Sequence, residues 1–446
     1  MPLDAPQRDC EYVTYFPLNI TPLAGSALRE GRTDASAGFG VYIHVPLCDR
    51  ICPFCNYNKF PAESHSGPLV EGMLREIAGY DAVVSPSVRK LDFVYFGGGT
   101  PSVLRPSEIR RLLDRLRERF DLDDTEVNLE CHPSHATVEY LAGLRSAGVN
   151  RISFGVQSFQ DEVLSGIGSY HRAAQSLACT GNARAAGFDN IAIDLMFMLP
   201  DQDRASWQRE LDVALEQGPE HISLYRMLLD PAGPLGRSVR FGRTKPQGGE
   251  ALELELAALG LEVIGGDGYR HYGSCSSAGF DLCRPGTESA YEMCHRAAPQ
   301  SEYVGIGPGA VGYLNGHVYW NVHTIREYLE VVSGGDPAVL AGRRLTDSDY
   351  RSRYWVLGVK HLAVPLAPFE ERFGTTVTDA FPGVIDRLAG HGLAELGDDT
   401  LTVTPRGVHY MDNISKSFFN ADNARLPQPY KPELQLLSVE LFGTPA

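Results

Sequence analysis

Residues 42–55 read Tyr42-Ile-His-Val-Pro-Leu-Cys48-Asp-Arg-Ile-Cys52-Pro-Phe-Cys55. The apolar run at 41–45 predicts a buried strand, and Pro46 ends it. The loop that leaves this strand carries three cysteines spaced C-x3-C-x2-C. Three thiolates on one loop can hold three irons of a 4Fe-4S cluster and leave the fourth iron open to a non-protein ligand. A structural zinc would take four protein ligands, and no second cysteine pair at finger spacing follows.

Outward from this strand, further short apolar runs at 93–96, 126–130, 151–154, 191–197 and 221–225 alternate with helical patterns at 106–119, 137–147 and 173–186. That alternation implies right-handed βαβ units and a parallel sheet. Six units are too few to close an eight-fold barrel, so the fold class predicted is α/β, a partial (β/α)6 TIM-like barrel whose site lies at the C-terminal strand ends. Beyond Gly233 the pattern loosens into glycine-rich and polar sequence, with a helical region resuming at Glu250. From Thr346 the chain reads as a smaller helical unit ending in a hairpin, 393–396 with 401–403, which suggests a winged-helix-like cap. The expected division is an N-terminal extension 1–40, a cluster-bearing barrel with its following segment 41–345, and a C-terminal domain 346–446.

With 40 Lys+Arg against 56 Asp+Glu the net charge is -16, which argues against general binding to nucleic acid or to anionic membrane. No apolar stretch reaches the length of a membrane span, and residues 1–40 lack a signal-peptide pattern, so a cytoplasmic protein is expected. The nine cysteines are odd in number and give no disulfide framework. Cys275, Cys283 and Cys294 are spaced too irregularly for a second cluster and read as unpaired thiols. His132 is read as a strand-end polar residue in preference to a proton relay, and most of the 20 tyrosines as packing residues.

A second motif, Tyr95-Phe96-Gly97-Gly98-Gly99-Thr100-Pro101, places a glycine turn after the second strand, where backbone amides can approach a charged amino-acid moiety. Cluster loop and glycine turn together resemble the radical S-adenosylmethionine superfamily. Tyr42-Ile-His-Val-Pro, residues 97–102, Ser153-Phe-Gly-Val-Gln-Ser-Phe159, Ile193-Asp-Leu195, His221-Ile-Ser-Leu-Tyr225 and Tyr303-Val-Gly-Ile-Gly-Pro-Gly309 narrow the resemblance to the HemN-type branch, oxygen-independent coproporphyrinogen oxidase and its relatives.

The resemblance implies a 4Fe-4S cluster on Cys48, Cys52 and Cys55 and two S-adenosylmethionine molecules. It assigns Tyr42, Gly98 and Glu130 to the cluster-bound molecule, and Phe54, Gly99, Thr100, Gln157 and Asp194 to the second. Arg226 and Val311 fall at matching but chemically variable positions. Tyr42, Glu130 and Gln157 are the residues expected to act in catalysis. The branch's arginine aligns with Ser169, so Arg172 is the candidate replacement. An electron donor such as flavodoxin and a monomeric state are also implied.

Two departures bear on the subfamily. Coproporphyrinogen oxidases carry another cysteine where this chain has Tyr57, and haem-chaperone relatives carry a His-Asn pair where this chain reads Ser289-Ala-Tyr-Glu-Met-Cys294-His295. The expectation is therefore a class C methyltransferase or cyclopropanase, acting on an unsaturated or aromatic small molecule, with a partner methyltransferase as one way to complete the reaction. The alternatives are an anaerobic haem-degrading methyltransferase, a coproporphyrinogen III dehydrogenase and a non-catalytic haem chaperone.

Overall fold

The computed structural model describes residues 8, 13–31, 33, 37–55, 57–62, 66–230 and 233–424. Cys10, Asn56 and the tail 425–446 lie outside them. Six parallel strands form the centre of the sheet: β1 (Phe39–Val45), β2 (Phe93–Gly98), β3 (Glu126–Cys131), β4 (Arg151–Gln157), β5 (Ile191–Phe197) and β6 (His221–Arg226). They lie side by side in chain order, as the alternation of strand and helix predicts. The intervening helices are α1 (Ser66–Gly79), α2 (Pro106–Arg117), α3 (Val138–Ala147), α4 (Ala173–Ala185) and α5 (Arg204–Gln217), and α6 (Glu250–Gly266) follows β6. Local signals fix their ends. Thr137 caps α3 by accepting from the Tyr140 N–H at 3.2 Å, and Gly148 stops it at φ +117°.

The segment past Gly233 departs from expectation. Instead of loose structure it supplies six more strands to the same sheet. β7 (Arg270–Ser276) and β8 (Gly279–Cys283) form a hairpin whose second strand pairs antiparallel with β6. At the other edge β9 (Glu302–Ile306) pairs parallel with β1, and β10 (Val311–Leu314), β11 (His317–Asn321) and β12 (Val339–Arg344) continue antiparallel. The sheet thus has 13 strands, counting an edge pair at Thr21–Pro22. Strands buried on both faces lack the two-residue alternation that marks a half-buried strand, and β8 to β11 are buried at every position.

Beyond Thr346, a helix at Asp347–Gly358 precedes a three-stranded sheet of Ala363–Pro365, Thr400–Val403 and Ala394–Leu396. Two contacts fasten this unit to the barrel edge. Lys360 Nζ donates to the Cys275 carbonyl at 2.5 Å, and the Ser277 N–H donates to Asp412 at 2.8 Å. No helix among the described residues is long and apolar enough to cross a membrane.

Glu76 on α1 ties the flank to the strand that bears the cluster loop. Its carboxylate accepts from the Gly307 N–H at 2.8 Å, Asn321 Nδ2 at 2.9 Å, the Tyr328 hydroxyl at 2.7 Å and the Ala338 N–H at 3.2 Å. Gly307, at φ +100°, sits where a Cβ would lie 2.4 Å from the His44 carbonyl oxygen of β1. Replacing Glu76 by Gln puts an amide NH2 against two donors. It is expected to lower the urea midpoint by the equivalent of about 3 kcal/mol; an unchanged midpoint would show that this carboxylate does not hold the junction.

Candidate functional site

Side chains at alternate positions of β1 to β6 point into the barrel, and they form layers. At the N-terminal end the lumen is plugged: Arg151 contacts His221, donates to Asn190 at 2.8 Å and lies 3.7 Å from Glu126. Asn128, Ser153, Ser223 and Asp281 come next, with the Ser223 hydroxyl donating to Asp281 at 2.9 Å. Asn128 Oδ1 is buried without a hydrogen-bond partner among the described residues. At the C-terminal end, Tyr42, Tyr95, Glu130, Gly155, Gln157, Asp194 and Tyr225 keep solvent-accessible surface while their strand neighbours on the outer face, Arg226 apart, are buried. The barrel is closed below and open above.

Glu130 is the focus of the open end. Its Oε1 accepts from the Tyr95 hydroxyl at 2.9 Å and its Oε2 from the Gly98 N–H at 3.2 Å. Those two donors leave lone pairs directed into the lumen. Desolvation raises its pKa to about 6, against the pull of the Tyr95 and Gly98 hydrogen bonds. The glycine turn makes this approach feasible: a Cβ on Gly97 would lie 2.9 Å from the Tyr42 hydroxyl and 3.1 Å from Glu130, and Gly98, at φ +114°, would clash with the His44 ring. Tyr42, Tyr95 and Tyr291 pack as a mutual trio, with ring centroids 5.7, 5.5 and 4.5 Å apart, so an aromatic wall flanks the carboxylate.

Asp194 enters the lumen from β5, and burial together with the Glu130 and Asp281 carboxylates pushes its pKa up to about 8. Two carboxylates sharing a lumen resist joint ionisation, and a bound cation relieves that resistance. Gln157 ends β4 at φ +65°, beside a break in register with β5. Positive φ in a non-glycine residue is strained and concentrates at functional positions.

The cysteine loop lies against this rim. Cys48 is buried, Cys52 and Cys55 are half-buried, and none is in a disulfide. Thr100 directs its hydroxyl at Cys48 Sγ, 3.4 Å away. Burial and the neighbouring thiols raise the Cys48 pKa and bring that of Cys52 to about 11. Among the described residues no three His, Cys, Asp or Glu side chains are closed up at metal-binding distance. The donor set nevertheless suits an iron–sulfur cluster, with three unpaired, mutually interacting thiols on one short loop. Several contacts brace that loop. Lys59 Nζ donates to the Cys55 carbonyl at 2.6 Å, and Asn58 Nδ2 to the His323 carbonyl at 3.0 Å. Asp49 meets His135 at 2.7 Å. Phe54 packs on an apolar cluster of Ile167, Met196, Leu199, Met227 and Leu235.

Three expected residues are placed elsewhere. Arg226 is bonded to Glu253 of α6 at 2.7 Å, because the alternation that turns Tyr225 inward turns Arg226 outward. Arg172 is exposed at the N-cap of α4, and Ser169, where the branch has its arginine, holds His171 at 2.9 Å. Val311 is buried with Phe93, Tyr291 and Tyr303 in an aromatic cluster and offers no polar side chain to a ligand.

His132 caps a short turn, stacks on Tyr170 at 3.9 Å, and is held neutral by burial, its pKa lowered to about 2; it is a structural residue. His295 is buried, stacked on Tyr291, and meets the Thr14 carbonyl at 3.2 Å. Cys275, Cys283 and Cys294 are free thiols. The sequence reading missed Asp281, which joins the lumen from β8. The alternation His221-x-Ser223-x-Tyr225 was the available sign that β6 lines a polar interior.

Residues 42–214 match the family model of the radical SAM superfamily. The chain is 30% identical to the haem chaperone HemW of Mycobacterium tuberculosis over 392 residues, 85% of this chain and 94% of that one. It is 29% identical to HemW of Bacillus subtilis over 376 residues, 82% and 95% of the two chains. Coproporphyrinogen III oxidase HemN from Escherichia coli superposes with a TM-score of 0.78 at 23% identity, covering 92% of this chain and 99% of the other. The superfamily's 4Fe-4S cluster and S-adenosylmethionine are thereby the cofactors of this chain.

Binding of S-adenosylmethionine to an ionised Glu130 is expected to weaken about tenfold for each pH unit below 6, where the carboxyl is protonated. Glu130→Gln should bind weakly and without that pH dependence; calorimetry at pH 5 and pH 7 checks both, and a pH-independent wild type would remove Glu130 from the site. Because raised thiol pKa values mean protonated ligands, cluster assembly should release protons and slow as pH falls. Single alanine variants at Cys48, Cys52 and Cys55 should each lose the iron–sulfide absorbance, and retention in any one would exclude that cysteine as a ligand.

Proposed function

The chain belongs to the HemN-like branch of the radical S-adenosylmethionine superfamily, and from that premise we propose that it cleaves S-adenosylmethionine reductively at the open end of its barrel and handles a tetrapyrrole there. The observation that carries the first part is the Glu130 carboxylate, desolvated and held by only two donors beside the cysteine loop. When bound, the cluster on Cys48, Cys52 and Cys55 supplies the electron that breaks a carbon–sulfur bond of S-adenosylmethionine to give methionine and a 5′-deoxyadenosyl radical.

The residues of the chain bind and orient. Glu130 accepts from the amino group, and Gly98 and Gly99 let the backbone close on it. Tyr42, Tyr95 and Tyr291 form an apolar wall that keeps water from the reacting side. Asp194 and Gln157 face the same space from β5 and β4, suited to ribose hydroxyls or to a second cationic molecule. Tyr225, Ser223 and Asp281 line the remaining wall, where an acceptor would lie.

The tetrapyrrole part rests on relatives, named for haem and for coproporphyrinogen, that align over most of both chains. They favour that reading over the methyltransferase or cyclopropanase expected from Tyr57 and residues 289–295. One observation keeps the carbon-transfer reading as second. Glu130 and Asp194 both carry raised pKa values within one lumen, and two acidic positions suit two molecules of a cationic cosubstrate.

One anaerobic experiment separates the readings, in which reconstituted protein is given dithionite and methyl-deuterated S-adenosylmethionine, with and without haem or coproporphyrinogen. Unlabelled 5′-deoxyadenosine formed only with tetrapyrrole, or stoichiometric haem binding, supports the first reading. Deuterium in the 5′-deoxyadenosine supports carbon transfer. Neither cleavage nor tetrapyrrole binding under any condition would overturn the proposal.

A further inference from the structure

The chain carries a net charge of -16, yet residues 237–245, Arg-Ser-Val-Arg-Phe-Gly-Arg-Thr-Lys, hold four basic residues and no acidic one. This segment begins in a short helix, Pro234–Arg240, whose start is fixed to the cysteine loop. The Leu235 N–H meets the Pro53 carbonyl at 3.4 Å, and Leu235 shares an apolar cluster with Phe54. Seven residues of helix put Arg240 and Phe241 about 9 Å from that anchor. Gln247 pins the far end of the segment by donating to the Met198 and Met227 carbonyls at 2.5 and 2.9 Å.

What this segment shows to solvent is apolar and positive. Phe241 is 62% exposed. Arg240 lies over the Phe241 ring at 4.9 Å. Arg240 and Arg243 are exposed and make no ion pair among the described residues. An exposed aromatic ring with an arginine over it and a second exposed arginine two residues on, neither in an ion pair among the described residues, has the composition of a protein-docking patch. On a chain this acidic, a local positive field selects a negative partner and repels further copies of the chain itself.

Resting on the proposed reductive cleavage, we propose that Arg240, Phe241 and Arg243 form the docking surface for a small acidic one-electron carrier protein, which delivers electrons to the half-buried Cys52–Cys55 edge of the cluster loop. The step moves one electron from the reduced carrier to the oxidised cluster for each molecule of S-adenosylmethionine cleaved, and leaves the carrier oxidised by one electron. Encounters of this kind use small interfaces steered by charge, so the complex should be weak and sensitive to salt.

The test uses the full chain and a bacterial flavodoxin as probe. Binding of oxidised flavodoxin is followed by flavin fluorescence on iron-free and reconstituted protein, at low and at high salt, for the wild type and for Arg240→Glu/Phe241→Ser/Arg243→Glu. The expected result is affinity that drops at high salt and falls on the order of tenfold or more in the variant, with or without cluster. Cleavage driven by dithionite should be equal in wild type and variant, while cleavage driven by reduced flavodoxin should fall in the variant. Equal flavodoxin affinity in the two proteins overturns the docking surface. Preferential binding of the patch to anionic phosphatidylglycerol vesicles over flavodoxin overturns it in favour of a membrane. Loss of dithionite-driven cleavage in the wild type itself would fault the proposed reductive cleavage, and the iron-free binding result would still decide the docking surface.

Discussion

A carboxylate inside a barrel is stable only if donors hold it, and it binds a ligand only if they do not use it up. Glu130 meets both conditions with one hydroxyl from Tyr95 and one backbone amide from Gly98. The requirement reaches through three adjacent strands. β3 must carry the acid, β2 must place Tyr95 diagonally across from it, opposite Asn128, and the turn after β2 must be glycine so that an amide can come within 3.2 Å. Gly97 has no room for a side chain among Tyr42, Tyr95 and Glu130, which couples β1 to the same arrangement. Thr100, the next step of that turn, reaches Cys48. The acid at the open end and the cysteine loop are thus positioned by one run of backbone.

The polarity of the lumen follows from its layering. Arg151 satisfies the carboxylate and imidazole of the lowest layer, so that end needs no ligand. Upward, acids outnumber cations: Glu130 and Asp194 face each other with raised pKa values, while Arg226 and Arg172 are turned away. A ligand bearing positive charge or several donors relieves this imbalance, which agrees with a sulfonium cosubstrate carrying an ammonium group.

Much of this was legible in the sequence. The six parallel strands, their order and the cysteine loop came from periodicity and spacing, because each signal lies within a few residues. Glu130, Asp194 and Gln157 came from the family resemblance, and the structure does bring them into one lumen. The flanking strands β8 to β11 were not legible, since strands buried on both faces lose the alternation that marks them. The Glu76 hub and Asp281 were equally hidden, because their hydrogen-bond partners lie 56 to 262 residues away in the chain. Arg226 was assigned by position in a motif, and only the inward turn of Tyr225 beside it reveals that it points out to Glu253.

The central claim is that the open iron of a three-cysteine cluster and Glu130 together hold S-adenosylmethionine. Electron paramagnetic resonance of the anaerobically reconstituted, dithionite-reduced protein tests it most directly. The account predicts a 4Fe-4S signal whose g-values shift when S-adenosylmethionine is added, in wild type but weakly or not at all in Glu130→Gln. A cluster signal indifferent to S-adenosylmethionine in the wild type would contradict it.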